Sequence, residues 1–240
     1  MLAQALERAA RQTHLEIELI LVRDGGTALD EAARRVLDDL DFPATLIEHD
    51  GEHEGAAHAR NRGVAAARGD AIAFLDDDDL WERDHVARLA AAVDAAPELD
   101  AAYADARILD EATGATRTLA QRFDLAILGR DGFIPPSALL ARRSAFERFG
   151  PFDPEFAYSE DWDWLLRVAR GGGQLARVPG ASVTIRIHPG ALSALAPERM
   201  TERRRCLDLL ARRHKLKPIE PKTFWEVAAT LCPDANDSMR

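Results

Sequence analysis

The order of segments predicts an α/β fold: a doubly wound, mostly parallel sheet with flanking helices and a small antiparallel lobe beside it. Three observations lead there. Short apolar runs alternate with helix-like stretches through the first hundred residues. The rhythm then changes to closely spaced strand-like segments with turn residues between them. The chain also has 240 residues, 47% hydrophobic and 30% charged, enough for a sizeable core.

Residues 2–12 place Leu2 and Leu6 four apart with Ala9 and Ala10 after them, a short amphipathic helix. LEIELILV, residues 15–22, reads as a buried strand ending in the turn formers Arg23, Asp24, Gly25, Gly26 and Thr27. Residues 30–40 read as a helix and 44–49 as a second strand. Residues 55–68 are Ala-rich and helical despite Gly63. Residues 71–75 form an apolar run that breaks into Asp76, Asp77, Asp78 and Asp79. A helix over 82–95 stops at Pro97.

Beyond residue 100, AAYAD and RILD, then EATGAT and RTLAQ, suggest strands with a hairpin at Gly114. Phe133, Ile134, Pro135 and Pro136 make a rigid loop into SALLA, and residues 142–149 form a helix ended by Gly150. Residues 159–170 form a Trp-rich helix opening with Glu160 and Asp161; QLARV and SVTIRIH give two more strands, and 197–214 a charged helix. No repeat or linker interrupts this. Residues 1–215 are therefore expected to be one domain with halves 1–100 and 101–215, followed by a peripheral helix and tail over 216–240.

The charge balance excludes several partners. Lys and Arg number 31 against 41 Asp and Glu, a net charge of −10, with a pI near 5.2. A nucleic-acid binder or a protein docked on anionic lipid by charge carries the opposite sign. Cys206 and Cys232 lie in no metal-ligand spacing, so a reducing cytosol is the expected setting. No stretch approaches the roughly 20 apolar residues of a membrane span, and residues 1–12 lack a signal-peptide pattern.

Four consecutive aspartates after a strand carry the first chemical hint. Two carboxylates about 4 Å apart repel by roughly 4 kcal/mol at an effective dielectric near 20. A divalent cation with a taste for hard oxygen ligands removes that repulsion. Extended geometry sends Asp76 and Asp78 one way and Asp77 and Asp79 the other, one pair toward a metal and one toward the next helix. A solvated, helix-capping loop is the alternative reading of the run alone. Asp24 and the aspartate run both sit at strand ends, where open α/β sheets bind ligands.

The chain resembles family-2 glycosyltransferases of GT-A fold. The resemblance is carried in order by ALERAARQTHLEIELILVRDGGT, GAAHARNRGVAAARGDAIAFLDDDDLW, IPPSALLARRSAFERFGPFDPEFAYSEDWDWLLRVA and TIRIHPGALS, spanning most of residues 3–195. It implies that Asp76 and Asp78 form a DxD motif holding Mg2+ or Mn2+ and the diphosphate of a sugar-nucleotide donor, a UDP-sugar favoured. It implies that Asp77 reaches the ribose, that Asp24 reaches the base, and that His188 completes the metal site. Asp161 falls on the catalytic base, with Glu160 and Trp162 beside it. Pro136 and Ser137 fall on the acceptor loop. Displacement at a sugar carbon does need a carboxylate to take the acceptor's proton, although acidic residues also favour any helix N-terminus. Arg60 and Asn61 match an A-R-N-x-G helix, but surface helices often carry these types and no chemistry is assigned to them.

Family members ordinarily begin with an apolar strand before the helix at residues 2–12, and that strand lies between those at Leu15 and Ala71. The expectation is therefore two open edges inside the sheet, with Arg23 in place of an acidic residue. The function implied is inverting transfer of one sugar to a hydroxyl of a surface glycan or lipid-linked acceptor. A soluble, cytoplasmic enzyme of cell-envelope polysaccharide synthesis, working up to the inner face of the membrane, fits it. The alternatives are a non-catalytic scaffold that keeps the fold, and, last, an aspartate phosphohydrolase.

Overall fold

The computed structural model describes residues 1–26, 28–191 and 196–233. Thr27 of the Asp24 turn, Leu192 and Ser193 of the histidine motif and the tail over 234–240 lie outside the described residues.

The first half holds α1 (Leu2–Ala10), β1 (Leu19–Asp24), α2 (Glu31–Asp38), β2 (Ala44–His49), α3 (Ala56–Ala66), β3 (Ala71–Ala73), β4 (Leu80–Trp81) and α4 (His85–Ala95). β1 starts four residues later than its apolar run because Leu15 is left exposed and the chain reaches its partner only at Leu19. α2 is capped as its sequence promises, Asp30 accepting from the Ala33 amide at 2.7 Å. α4 opens at His85 and not at residue 82, since Glu82 is drawn into a backbone bond to Ser182.

The second half holds β5 (Ala101–Asp110), β6 (Thr116–Leu119), α5 (Leu125–Leu128), β7 (Leu139–Arg142), α6 (Arg143–Phe149), α7 (Glu160–Arg170), β8 (Leu175–Ile187), α8 (Met200–Arg213) and α9 (Phe224–Leu231). The two strands expected from QLARV and SVTIRIH are one strand, β8, with a register shift near Pro179 and Gly180. Gly114 turns the β5–β6 hairpin at φ 70°, a conformation that only glycine adopts freely.

Strand pairing divides the molecule. Among the described residues β1 pairs with β2 alone, in parallel. The larger sheet runs β3-β7-β5-β8-β4 with β6 beside β5. Its β5–β8 pair is parallel and its other pairs are antiparallel, so among the described residues parallel pairing is confined to β1–β2 and β5–β8. The split falls between β1 and β3, where the sequence predicts open edges. Glu18 accepts from the Arg68 and Gly69 amides, which sets the start of β1 beside the start of β3. Among the described residues no ladder joins the two.

The core sits under the larger sheet. β5 is buried almost throughout, and Phe74, Phe146, Phe152 and Trp164 pack ring on ring between the sheet and helices α6 and α7. The segment expected to be peripheral joins this core: Val227 and Ala228 of α9 are buried and α9 packs on β5 and β6. Its capping box, Thr223 with Glu226, stops the chain from fraying there. Among the described residues no helix is long and apolar enough to cross a membrane.

Candidate active site

The acidic turn follows β3, and each of its four carboxylates meets a different neighbour. Asp76 is half-buried; its amide donates to Ser137 Oγ at 3.0 Å and its Oδ1 accepts from Arg60 at 2.7 Å. Asp77 is exposed. Asp78 Oδ2 lies 3.1 Å from Nε2 of His188, just past the end of β8. Asp79 is buried and accepts from the Arg186 amide at 3.1 Å. The expectation that Asp77 and Asp79 face the next helix is corrected here. Asp79 turns into the core because a buried amide needs an acceptor, and α4 begins without a side-chain cap.

Burial lifts the Asp78 carboxyl above its ordinary range, and the nearby Asp76 charge adds to this against the pull of His188. Asp79 is lifted further for the same first reason. Crowded carboxylates with raised proton affinity form a site that gains from a cation. Arg186 supports the turn from below: its Nε donates to the Asp78 carbonyl and its Nη1 to Gln4 Oε1. A charged residue inside an otherwise apolar strand was the available sequence signal for Arg186.

Glu160 and Asp161 open α7. Ser159 before them holds φ 66°, an uncommon left-handed conformation for a non-glycine residue, and so swings the helix start toward the cavity. Glu160 is buried against Arg60, which also holds Asp76, so one guanidinium joins the turn after β3 to the start of α7. Burial pushes Glu160 up to about 7; Arg60 opposes this and the Asp161 charge reinforces it. Asp161 is raised as well, burial outweighing Arg60. Arg60 was set aside on sequence grounds as an ordinary surface residue, yet it is the residue that brings the two acidic stretches together.

Asp76, Arg60, Glu160 and Asp161 line one cavity of about 150 Å³, with Pro136, Tyr158, Trp162, Arg130, Arg203 and Lys222 around it. Asp78 and His188 stand on the other side of the turn, outside that lining. Trp162 contributes little free face: its Nε1 donates to Leu128 O at 2.6 Å and its ring packs so close to Gly132 that a Cβ there would sit 2.9 Å away. Ser137 is fully buried, where its carbonyl accepts from Trp81 Nε1 at 2.7 Å.

Asp24 heads a second cluster at the end of β1. Its Oδ2 accepts from the Glu54 and Gly55 amides at 3.0 and 2.7 Å and its Oδ1 pairs with Arg62 at 3.2 Å. Asp24, His49 and Glu54 bring ligand atoms within 4.8 Å of one another. Arg62 binds both carboxylates, however, and offsets one of their two charges. α3 thus serves both clusters: Arg60 reaches the acidic turn and Arg62 reaches Asp24, while Asn61 exchanges two hydrogen bonds with Phe152. Arg23 makes ion pairs with Glu48 and Asp50 at 3.0 and 2.6 Å.

At a strand end of this α/β sheet an acidic turn is thus faced by Glu160 and Asp161 across the Arg60 guanidinium. The chain belongs to glycosyl transferase family 2, whose profile matches residues 1–152. It is 29% identical over 230 residues to the Bacillus subtilis (strain 168) protein described as uncharacterized glycosyltransferase YwdF, covering 93% of this chain and 82% of that one. It is 32% identical over 168 residues to the PGL/p-HBAD biosynthesis glycosyltransferase of Mycobacterium bovis (strain BCG / Pasteur 1173P2), covering 70% of this chain and 64% of that relative. Its fold is similar to S. aureus TarS 1–349 in complex with UDP-GlcNAc: TM-score 0.69, 17% identity, 88% of this chain and 62% of that one. It is also similar to the mannosyltransferase PcManGT from Pyrobaculum calidifontis in complex with GDP-Man and Mn2+: TM-score 0.68, 20% identity, 95% and 65%. The chain therefore spans less than two thirds of the mycobacterial relative and of both solved neighbours.

Proposed function

We propose that the chain transfers a sugar, with inversion, from a nucleotide-diphosphate sugar to a hydroxyl of a glycan or lipid-linked acceptor. The observation that carries this reading is Arg60, which brings Asp76 and the Glu160–Asp161 pair onto one cavity. The neighbours with UDP-GlcNAc and with GDP-Man and Mn2+ support a nucleotide-sugar donor, and a UDP-sugar is the first choice.

The donor set fits a divalent cation. Asp78 and His188 already place an oxygen and a nitrogen 3.1 Å apart, a mixed set that suits Mn2+ better than Mg2+, which prefers oxygen ligands alone. Asp76, held by Arg60, supports the site from the other side of the turn. When bound, the cation supplies positive charge to the diphosphate leaving group. Asp161 takes the proton of the acceptor hydroxyl as the new bond forms. Its raised proton affinity suits that task, because a stronger base removes the proton more readily. Glu160 and Arg60 fix the start of α7 so that Asp161 stays within the cavity. Asp24, at the end of β1, and Asp77, in the turn after β3, are proposed for the base and ribose of the donor. The acceptor enters past Pro136 and Tyr158.

Titration of UDP-GlcNAc, other UDP-sugars and GDP-Man with and without Mn2+ tests this reading. Metal-dependent binding of one of them, weakened in Asp78→Ala by more than the roughly 10–100-fold that loss of a supporting partner costs, is expected. Absence of metal-dependent binding across the panel favours the non-catalytic scaffold.

A further inference from the structure

The turn from Asp76 to Asp79 is held at several points, and two of them come from one residue. The turn closes on itself where the Asp79 amide donates to the Asp76 carbonyl at 3.1 Å. Ser137 and Arg60 fix Asp76. From β8, Arg186 acts twice: its backbone amide donates to Asp79 Oδ1 at 3.1 Å, and its side-chain Nε donates to the Asp78 carbonyl. Two residues further on, His188 Nε2 lies 3.1 Å from Asp78 Oδ2. The end of β8 therefore meets Asp78 at both its backbone and its carboxylate.

A guanidinium is a costly group to place there. Arg186 is 6% exposed, and burying a cation is unfavourable unless good partners surround it. Its Nη1 donates to Gln4 Oε1 of α1 at 2.8 Å and lies 3.6 Å from Glu111. Among the described residues its buried Nη2 has no hydrogen-bond partner. Ile185 and Ile187, on either side of it along the strand, turn the other way into the apolar core. An apolar side chain would fill the Arg186 position with a smaller desolvation penalty.

We infer that Arg186 is a positioning residue for the divalent cation: seated on Gln4, its guanidinium fixes the Asp78 backbone so that the carboxylate stays opposite His188. This rests on the metal-dependent transferase reading above. Holding the Asp78 carbonyl fixes the plane of the peptide between Asp78 and Asp79, and with it the direction in which the Asp78 side chain leaves the chain. Metal ligands depend on outer partners of this kind. The side chain is separable from the strand, because the Arg186 amide holds Asp79 whatever side chain stands at 186. Through Gln4, α1 joins the same arrangement. Its own seat is kept by Gln12, which donates to Glu82 O at 2.8 Å and accepts from the Val86 amide at 3.0 Å.

The test is Mn2+ uptake by the full chain, read from the loss of the free-ion electron paramagnetic resonance signal, without nucleotide and again with UDP. Arg186→Met should weaken Mn2+ binding by roughly 10–100-fold, the usual effect of losing a partner behind a metal ligand. Arg186→Lys, which still places one donor near the Asp78 carbonyl, should weaken it less. Gln4 is exposed, so Gln4→Ala keeps the fold and should shift Mn2+ binding in the same direction at an unchanged thermal midpoint. UDP affinity measured without Mn2+ should stay at the parent's value in all three. Should Arg186→Met fail to fold, Arg186→Lys and Gln4→Ala decide the matter. The positioning role is overturned if those two variants take up Mn2+ like the parent, or if their metal-free UDP affinity falls by as much as their Mn2+ affinity, which is the mark of general distortion. A parent that takes up no Mn2+ with or without UDP sinks the metal-dependent reading itself, and the role of Arg186 with it. A parent that binds Mn2+ while its variants match it sinks the role of Arg186 alone.

Discussion

The two sheets of this protein are built on different terms. In the larger one, β5 is buried along nearly its whole length and carries three neighbours, β6, β7 and β8. In the smaller one, every residue of β1 is only half-buried and β2 is exposed at four of its six positions. The aromatic core lies wholly on the larger side, and the smaller contributes Ala57 to it, with Ile17 and Val64 at the margin. β1 leans instead on α3, with Val22 3.6 Å from where a Cβ on Gly63 would stand. A parallel ladder leaves alternate amides pointing outward. Since Leu19 and Gly25 donate toward β2, the amides of Ile20 and Val22 face the open edge. Ala71 and Ala73 present the matching edge of β3, because Ile72 and Phe74 face β7. The lesson is a division of labour. The proposed catalytic groups stand on the rigid half, whereas the Asp24 cluster stands on a half held mainly by α3 and by ion pairs exposed to salt.

The largest effect should come from the rigid half. Asp161→Asn is expected to lower transfer by roughly 10²–10⁴, the usual worth of a positioned general base, while UDP affinity in the presence of Mn2+ stays within about twofold. Equal turnover in variant and parent would remove Asp161 from the mechanism. The acid side of the parent's pH–rate profile should also lie above the ordinary aspartate range, since activity is lost as the raised Asp161 carboxyl gains its proton.

Next in size is a stability effect at the junction. Glu160 titrates near 7 in the fold against an ordinary 4.5. The folded state thus holds its proton more tightly, so this group's stabilisation is complete below pH 4.5 and is lost as pH rises through about 7. Between those limits the parent should lose up to about 3 kcal/mol relative to Glu160→Gln, which has no proton to release. Parallel denaturation midpoints for the two proteins from pH 4.5 to 8 would refute the raised value.

Asn61→Ala should cost about 2 kcal/mol by removing both hydrogen bonds to Phe152. Its diagnostic sign is regional: β1 and β2 should lose hydrogen-exchange protection while β5 and β8 keep theirs. The smallest expectation concerns the parent itself. The Ile20 and Val22 amides should exchange roughly tenfold or more faster than those of Ala104 and Ile108, as a sub-global unit of low stability would. Uniform protection across both sheets would end the comparison.

Much of this was legible in the sequence, for reasons that differ by residue. β2 falls on residues 44–49, where the sequence reads as a second short strand, and α7 opens with Glu160 and Asp161 as its acidic start suggests. Asp78 with His188 is a pair that the family resemblance implied and the tertiary structure brings to 3.1 Å. Arg60 was misjudged because nothing local distinguishes an arginine that pairs with residue 160 from one that faces water. Lys222 and Asp131 were missed for a similar reason, being 91 residues apart.

The sequence by itself therefore determined most of the longer strands and helices, though not the single β8, the short β4 or α5, together with the acidic turn after β3 and the acid pair at the head of α7. Each depends on periodicity, capping and charge within a few residues. Only the tertiary structure decided which carboxylate does what. Asp76 turns to Arg60, Asp78 to His188 and Asp79 into the core, while the C-terminal segment closes the cavity. Those choices depend on burial and on charged partners a hundred residues away, and chain closure brings such groups together without leaving a local signal.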